Sequence, residues 1–124
     1  MTAVVPVPVL VADDQASFRD VMRDVVAAAP GFELVGEAKS GDEALELVEE
    51  LAPRVVIVDK RMPDASGMEI CRAITDRHPD IVVVICSVED LDPRLAAECG
   101  AARAVHKQHL SPRLLADVWN THGA

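Results

Sequence analysis

A chain of 124 residues that is 50% hydrophobic has the length and apolar content for one domain, residues 1–124, around one core. Its net charge of −9 weighs against direct contact with nucleic acid, because phosphate backbones are bound through clustered Lys and Arg; an acidic surface suits basic protein partners instead. The most apolar run, residues 81–86, is far below the ~20 residues that a membrane helix needs, and Cys71, Cys86 and Cys99 show neither disulfide parity nor metal-ligand spacing. We therefore read the cysteines as reduced, mostly buried thiols of a cytoplasmic protein with no membrane segment.

Residues 1–8 lack the basic and long apolar segments of a leader and read as a short tail entering the first strand. Residues 7–12 are apolar and end at Asp13-Asp14. From 17 to 29 the positions Phe18, Val21, Met22, Val25 and Val26 recur at helical spacing, and Pro30-Gly31 stops the pattern. Residues 32–37 alternate weakly as a second strand. Ser40-Gly41-Asp42-Glu43 then has the capping-box pattern ahead of a helix carrying Ala44, Leu45, Leu47, Val48 and Leu51, which Pro53 closes.

The third unit begins with four β-branched residues that run straight into a carboxylate, Val55-Val56-Ile57-Val58-Asp59. Such a run predicts a strand buried on both faces, with Asp59 where it leaves the core. A loop through Met62-Pro63-Asp64 leads to a second capping box at Ser66-Gly67-Met68-Glu69 and a helix ending before Pro79. The apolar strand 81–86 follows and stops at Ser87. Asp92-Pro93 is suited to capping and starting the next helix, which carries Leu95 and Ala96. After Gly100, residues 101–105 form a weaker fifth strand ending near Lys107, and Ser111-Pro112 starts a last helix bearing Leu114, Leu115, Val118 and Trp119.

Five strands alternating with five helices imply a doubly wound α/β fold, a parallel sheet with helices on both faces. Ligands of such sheets gather at the carboxyl ends of the strands. Those ends carry Asp13, Asp14, Asp59, Ser87 and Lys107. Three carboxylates about 5 Å apart repel by roughly 3 kcal/mol per pair at an effective dielectric near 20. One lysine offsets this only in part, whereas a hard divalent cation that takes oxygen ligands and also binds phosphate offsets it well, which points to Mg²⁺. A carboxylate beside such a cation and an ammonium is suited to attack a phosphoryl group, giving an aspartyl phosphate.

The segment Val9-Leu10-Val11-Ala12-Asp13-Asp14, the run from Val56 through Asp59 to Pro63 with Gly67, Ser87 after the fourth strand, and Gly100-Ala101 leading to Lys107 together resemble the receiver domain of bacterial two-component response regulators. Gly36-Glu37-Ala38 and Gly41 to Leu47 give the resemblance a NarL/FixJ flavour, and it covers nearly the whole chain. The resemblance implies the flavodoxin-like strand order 2-1-3-4-5. It also implies that Asp59 accepts a phosphoryl group from a sensor histidine kinase or phosphotransfer protein. Asp13, Asp14, Asp59 and the backbone carbonyl of Arg61 would hold Mg²⁺, Lys107 would pair with the phosphoryl oxygens, and Ser87 would hydrogen-bond to one of them as the switch. Its readout would be the face built from helix four, strand five and helix five, offered to a downstream protein partner or to a second copy in a homodimer.

Four features depart from the usual receiver. Ala104 stands where strand five commonly has Tyr or Phe, so an aromatic rotation coupled to Ser87 is not available. Gln108 follows Lys107 where proline is common, which predicts a trans bond and a less rigidly placed Lys107. Val88 after Ser87 is larger than usual and is expected to crowd the phosphoryl site. Arg61 and Glu89 flank that site and are placed to pair across it. The four histidines show no ligand spacing and read as surface residues, Trp119 as packing, and Cys86 as core.

The expectation is a stand-alone phosphorylation switch that ends after helix five, signals by protein contact and is not an enzyme beyond its own phosphotransfer and slow autodephosphorylation. Two alternatives stay open: a degenerate receiver acting as a phosphate-independent binding module, and the receiver half of a truncated DNA-binding regulator. A phosphatase with an aspartyl nucleophile is disfavoured, since no second aspartate stands two residues after Asp59 and the chain is short for a substrate cap.

Overall fold

The computed structural model describes residues 5–123, so the first half of the expected N-terminal tail, residues 1–4, lies outside the described residues. The apolar runs form β1 (Val7–Ala12), β2 (Phe32–Ala38), β3 (Val55–Asp59), β4 (Val82–Ser87) and β5 (Arg103–His106). They join in one parallel sheet in the order β2-β1-β3-β4-β5, as expected. Between and after them lie α1 (Ala16–Ala27), α2 (Gly41–Leu51), α3 (Gly67–Arg77), α4 (Arg94–Cys99) and α5 (Pro112–His122).

The sheet divides the core in two because successive side chains of a strand point to opposite faces. Leu10, Val56, Val58, Val83 and Ile85 pack with Ala44 and Val48 of α2, Ile70, Cys71 and Ile74 of α3, and Cys99 of α4. Val9, Val11, Val55, Ile57, Val84, Cys86 and Val105 pack with Met22 and Val26 of α1 and Leu115 and Val118 of α5. Residues 55–58 are therefore buried from both sides, which is why a continuous β-branched run rather than an alternating one encodes β3. The three cysteines are free thiols inside these layers, and burial pushes those of Cys71 and Cys86 up. Trp119 packs as expected, with the Arg54 guanidinium 5.4 Å from its ring centroid.

Element ends differ from the sequence reading where hydrogen bonds, not apolar spacing, set them. Helix α1 closes at Ala27, because the Ala29 amide bonds to Val26 and starts a turn. The cap of α4 is displaced: Pro93 is itself the flanking residue, while Asp92 Oδ1 accepts from the Arg94 amide at 2.9 Å and the Asp92 carbonyl from Leu95 at 3.0 Å. That helix has only six residues and stops at Gly100, whose φ of 82° favours glycine. Strand β5 starts at Arg103, later than expected, because the Ala101 amide still bonds back to Ala96 to close α4. A single 3-10 turn over Lys107–His109, not anticipated from the sequence, follows β5. No peptide bond among the described residues is cis, so the Lys107-Gln108 bond is trans as predicted.

Among the described residues no helix is long and apolar enough to cross a membrane.

Candidate functional site

Parallel pairing fixes where each functional side chain emerges. In β1 and β3 Ala12 lies beside Val58, so Asp13 and Asp59 leave the sheet one strand apart. In β3 and β4 Asp59 pairs with Cys86, and in β4 and β5 Ser87 pairs with His106, which puts Lys107 just past the same edge.

Asp13 is fully buried, and its Oδ1 accepts from the Gln15 amide at 2.8 Å. Its Oδ2 accepts from Lys107 Nζ at 2.6 Å, while Asp59 Oδ2 accepts from the same ammonium at 3.1 Å. Asp59 Oδ1 accepts from the Arg61 amide at 3.2 Å. Asp14 is exposed, yet Asp13, Asp14 and Asp59 each offer a carboxylate oxygen within 4.8 Å of the others. Lys107 also lies over Phe18, Nζ being 4.2 Å from the ring centroid. The structure thus brings together four of the predicted side chains.

Burial dominates the ionisation of Asp59 and raises its pKa, although the Arg61 amide and Lys107 both favour the charged form. Burial also weighs most on Lys107, disfavouring its charge, but the hydrogen bonds and charges of Asp13 and Asp59 outweigh it and the net shift is upward. The result is a carboxylate more basic than usual beside an ammonium that stays charged. Such a pair can present a nucleophilic oxygen and steady a developing negative charge next to it.

Ser87 is buried at the end of β4, where its Oγ accepts from the Glu89 amide at 3.0 Å in a tight turn. The expected pairing of Arg61 with Glu89 is present, Nη2 to Oε1 at 2.9 Å, and it joins the loop after β3 to the loop after β4. Val88 is 70% exposed and lines an open groove of about 360 Å³ with Gln15, Ser17, Phe18, Val21, Lys107 and Gln108. Ala104 lies beside a second hollow of about 330 Å³, shared with Asp90, Leu91, His106, His109 and Leu114.

Two supports of the site have no counterpart in the motif reading. Arg19, on α1, donates through Nη1 to the Asp13 carbonyl at 2.7 Å and pairs with Glu37 at 3.5 Å, tying the end of β1 to β2. Asp64, in the loop after β3, accepts from the Gly41 amide at 2.7 Å and the Asp42 amide at 3.0 Å, so it binds the N-terminus of a helix 23 residues earlier. No spacing pattern flags the first, since Asp13 precedes α1 and lies six residues before Arg19. Nothing local marks the second.

The two amides hold the Asp64 carboxyl below the ordinary range. A depressed carboxyl adds stability above its unfolded-state pKa, and that stability is lost as pH falls through the folded-state value. Between about pH 4 and pH 2, therefore, the melting temperature of the wild-type protein should fall more steeply than that of Asp64→Ala. Parallel melting curves would show that this staple contributes nothing.

The profile described as "Response regulator receiver domain" matches residues 9–118. The chain is 42% identical over 110 residues to protein-glutamate methylesterase/protein-glutamine glutaminase 5 of Myxococcus xanthus, covering 86% of this chain and 32% of that protein. It is 40% identical over 98 residues to response regulator GacA of Pseudomonas syringae, covering 77% of this chain and 46% of the relative. Among solved structures it is similar to the signal receiver domain of the putative response regulator NarL from Mycobacterium tuberculosis, with TM-score 0.81, 28% identity and coverage of 92% and 97%. It is equally similar to the response regulator domain of Thermotoga maritima CheB, with TM-score 0.81, 30% identity and coverage of 93% and 95%. The chain spans from a third to less than half of the length of these two curated relatives, and nearly all of the two receiver structures.

Proposed function

Since the chain belongs to the response regulator receiver family, we propose that it is a phosphorylation-dependent signalling switch whose phosphoacceptor is Asp59. The observation that carries this reading is the meeting of Asp13, Asp14 and Asp59 within 4.8 Å, with Lys107 bridging two of them. Asp59 is the carboxylate at the end of the central strand that combines partial exposure with a direct ammonium contact. An oxygen of Asp59 attacks the phosphorus of a phosphohistidine on a histidine kinase or phosphotransfer protein. The new O–P bond forms as the N–P bond breaks, and the departing imidazole regains its proton from solvent.

The donor set fits a hard cation: all three side chains offer oxygen, and Asp13 is held with no exposure to water. Asp13, Asp14, Asp59 and the backbone carbonyl of Arg61 would hold Mg²⁺, which supplies positive charge to the transferring oxygens when bound. Lys107 then moves its hydrogen bonds from carboxylate to phosphoryl oxygen. The Ser87 hydroxyl already accepts from the Glu89 amide and retains its own hydrogen to donate to the phosphoryl group. Signalling proceeds by contact with a downstream protein or a second copy, through the face of α4, β5 and α5.

Incubation with acetyl phosphate and Mg²⁺, followed by intact mass, tests the reading. One phosphoryl group is expected on the wild-type protein and none when a chelator replaces Mg²⁺. No adduct under either condition favours the second reading, a phosphate-independent binding module. The observation behind that alternative is Ala104, a non-aromatic side chain on β5 that lines a hollow.

The Arg61–Glu89 pair spans the mouth of the site, so it should slow the arrival of water at the aspartyl phosphate. An exposed ion pair is worth about 0–1 kcal/mol, so Arg61→Ala should shorten the phosphorylated lifetime by up to about fivefold. The decay of purified phosphoprotein measures this, and an unchanged half-life removes the lid from the account.

A further inference from the structure

We propose that His106 is a positioning residue for Lys107 in phosphotransfer, its imidazole serving as the cap of the turn that carries the lysine. The inference rests on the reading of Asp59 as phosphoacceptor.

Lysine is a poor candidate for fixed placement, because a flexible four-carbon stem separates its charge from the backbone. Here Nζ nevertheless meets Asp13 at 2.6 Å and Asp59 at 3.1 Å, so the backbone of Lys107 must be held where both are in reach. Two constraints hold it. On one side, His106 pairs with Ser87 at the last position of β4 and β5. On the other, the 3-10 turn closes through the Leu110 amide on the Lys107 carbonyl at 3.2 Å.

A helical turn leaves its first amides without internal partners. Gln108 supplies one of these, and it donates to His106 Nδ1 at 3.1 Å. His106 has φ −72° and ψ 139°, the extended backbone of a capping residue, so its ring does the work usually done by Ser, Asp or Asn. A proline after Lys107 would have fixed φ there and had no amide to satisfy. Gln108 brings an amide that needs a partner, and the residue before Lys107 provides it.

Nδ1 accepts only in the neutral tautomer with hydrogen on Nε2. The His109 ring centroid is 5.8 Å from that of His106, and the rings are tilted by 55°.

The test compares two variants with the wild-type protein. His106→Leu deletes the acceptor, whereas His106→Asn keeps an acceptor of the preferred capping type and does not titrate. The initial rate of Asp59 phosphorylation by acetyl phosphate with Mg²⁺ should fall roughly tenfold in His106→Leu. In His106→Asn it should stay within about twofold of wild type. Hydrogen exchange of the Gln108 amide, read by NMR, should quicken in His106→Leu and stay slow in His106→Asn.

A phosphorylated wild type with an unimpaired His106→Leu overturns this inference alone. So does a His106→Asn variant as slow as His106→Leu. No phosphoryl group on the wild-type protein overturns the reading of Asp59 and takes this inference with it.

Discussion

Asp59→Asn should take up no detectable phosphoryl group from acetyl phosphate under conditions in which the wild-type protein gains one. The amide is nearly isosteric with the carboxylate but offers no anionic oxygen to attack phosphorus. Neither remaining aspartate is placed to substitute. Asp13 is fully buried, with one oxygen held by the Gln15 amide and the other by Lys107, and Asp14 is exposed, with no ammonium contact among the described residues. The variant should remain folded, since Lys107 keeps its shorter bond to Asp13. Burial disfavours the charge on Asp59, so its removal relieves a penalty at the same time as it removes the nucleophile. Folded protein without adduct is the expected result, and an adduct of wild-type yield would place the acceptor elsewhere.

Gly67→Ala should damage both stability and phosphorylation, although residue 67 contributes no functional group. A Cβ there would collide with the Asp59 carbonyl and lie 2.8 Å from Lys60 Cα and 2.9 Å from the Asp59 carbonyl carbon. All are backbone atoms, so no side chain can swing away. The approach is closed further by the Gly67 amide donating to the Lys60 carbonyl at 2.6 Å. We expect a loss of about 1–3 kcal/mol in urea unfolding, the usual range for overfilling a packed region. The phosphorylation rate should fall with it, because the atoms forced to move belong to the peptide that presents Asp59. Gly41→Ala is the useful contrast. Its Cβ would meet only side-chain atoms, of Ile70 and the Asp64 carboxylate, at 3.0–3.2 Å, so a smaller loss is expected. A Gly67→Ala protein as stable and as reactive as wild type would remove the close approach as an explanation for this glycine.

The residues that make up the site were legible because the fold makes strand ends converge. Once Val55 to Val58 is read as a buried parallel strand, Asp59 must emerge at the carboxyl edge, and the same logic places Asp13, Ser87 and Lys107 there. Capping boxes were equally readable, since each is confined to four residues: Ser40 Oγ accepts from Glu43 at 3.1 Å and Ser66 Oγ from Glu69 at 3.2 Å. What stayed hidden depends on distance between segments. The bond from Asp64 to α2 joins residues far apart in sequence, and Arg19 reaches the Asp13 carbonyl only because α1 packs back against β1. The turn after β5 was missed for a different reason: histidine is not among the residues expected to cap.

The ion pair between Lys107 and Asp13 closes a loop of 94 residues, and the one to Asp59 a loop of 48. Closing such long loops costs chain entropy that only the assembled sheet recovers, so these contacts form late in folding. Until then the aspartates lack their ammonium. On a ribosome, β1 and β3 emerge well before Lys107 does, so a nascent chain already carries both aspartates but not the ammonium that joins them.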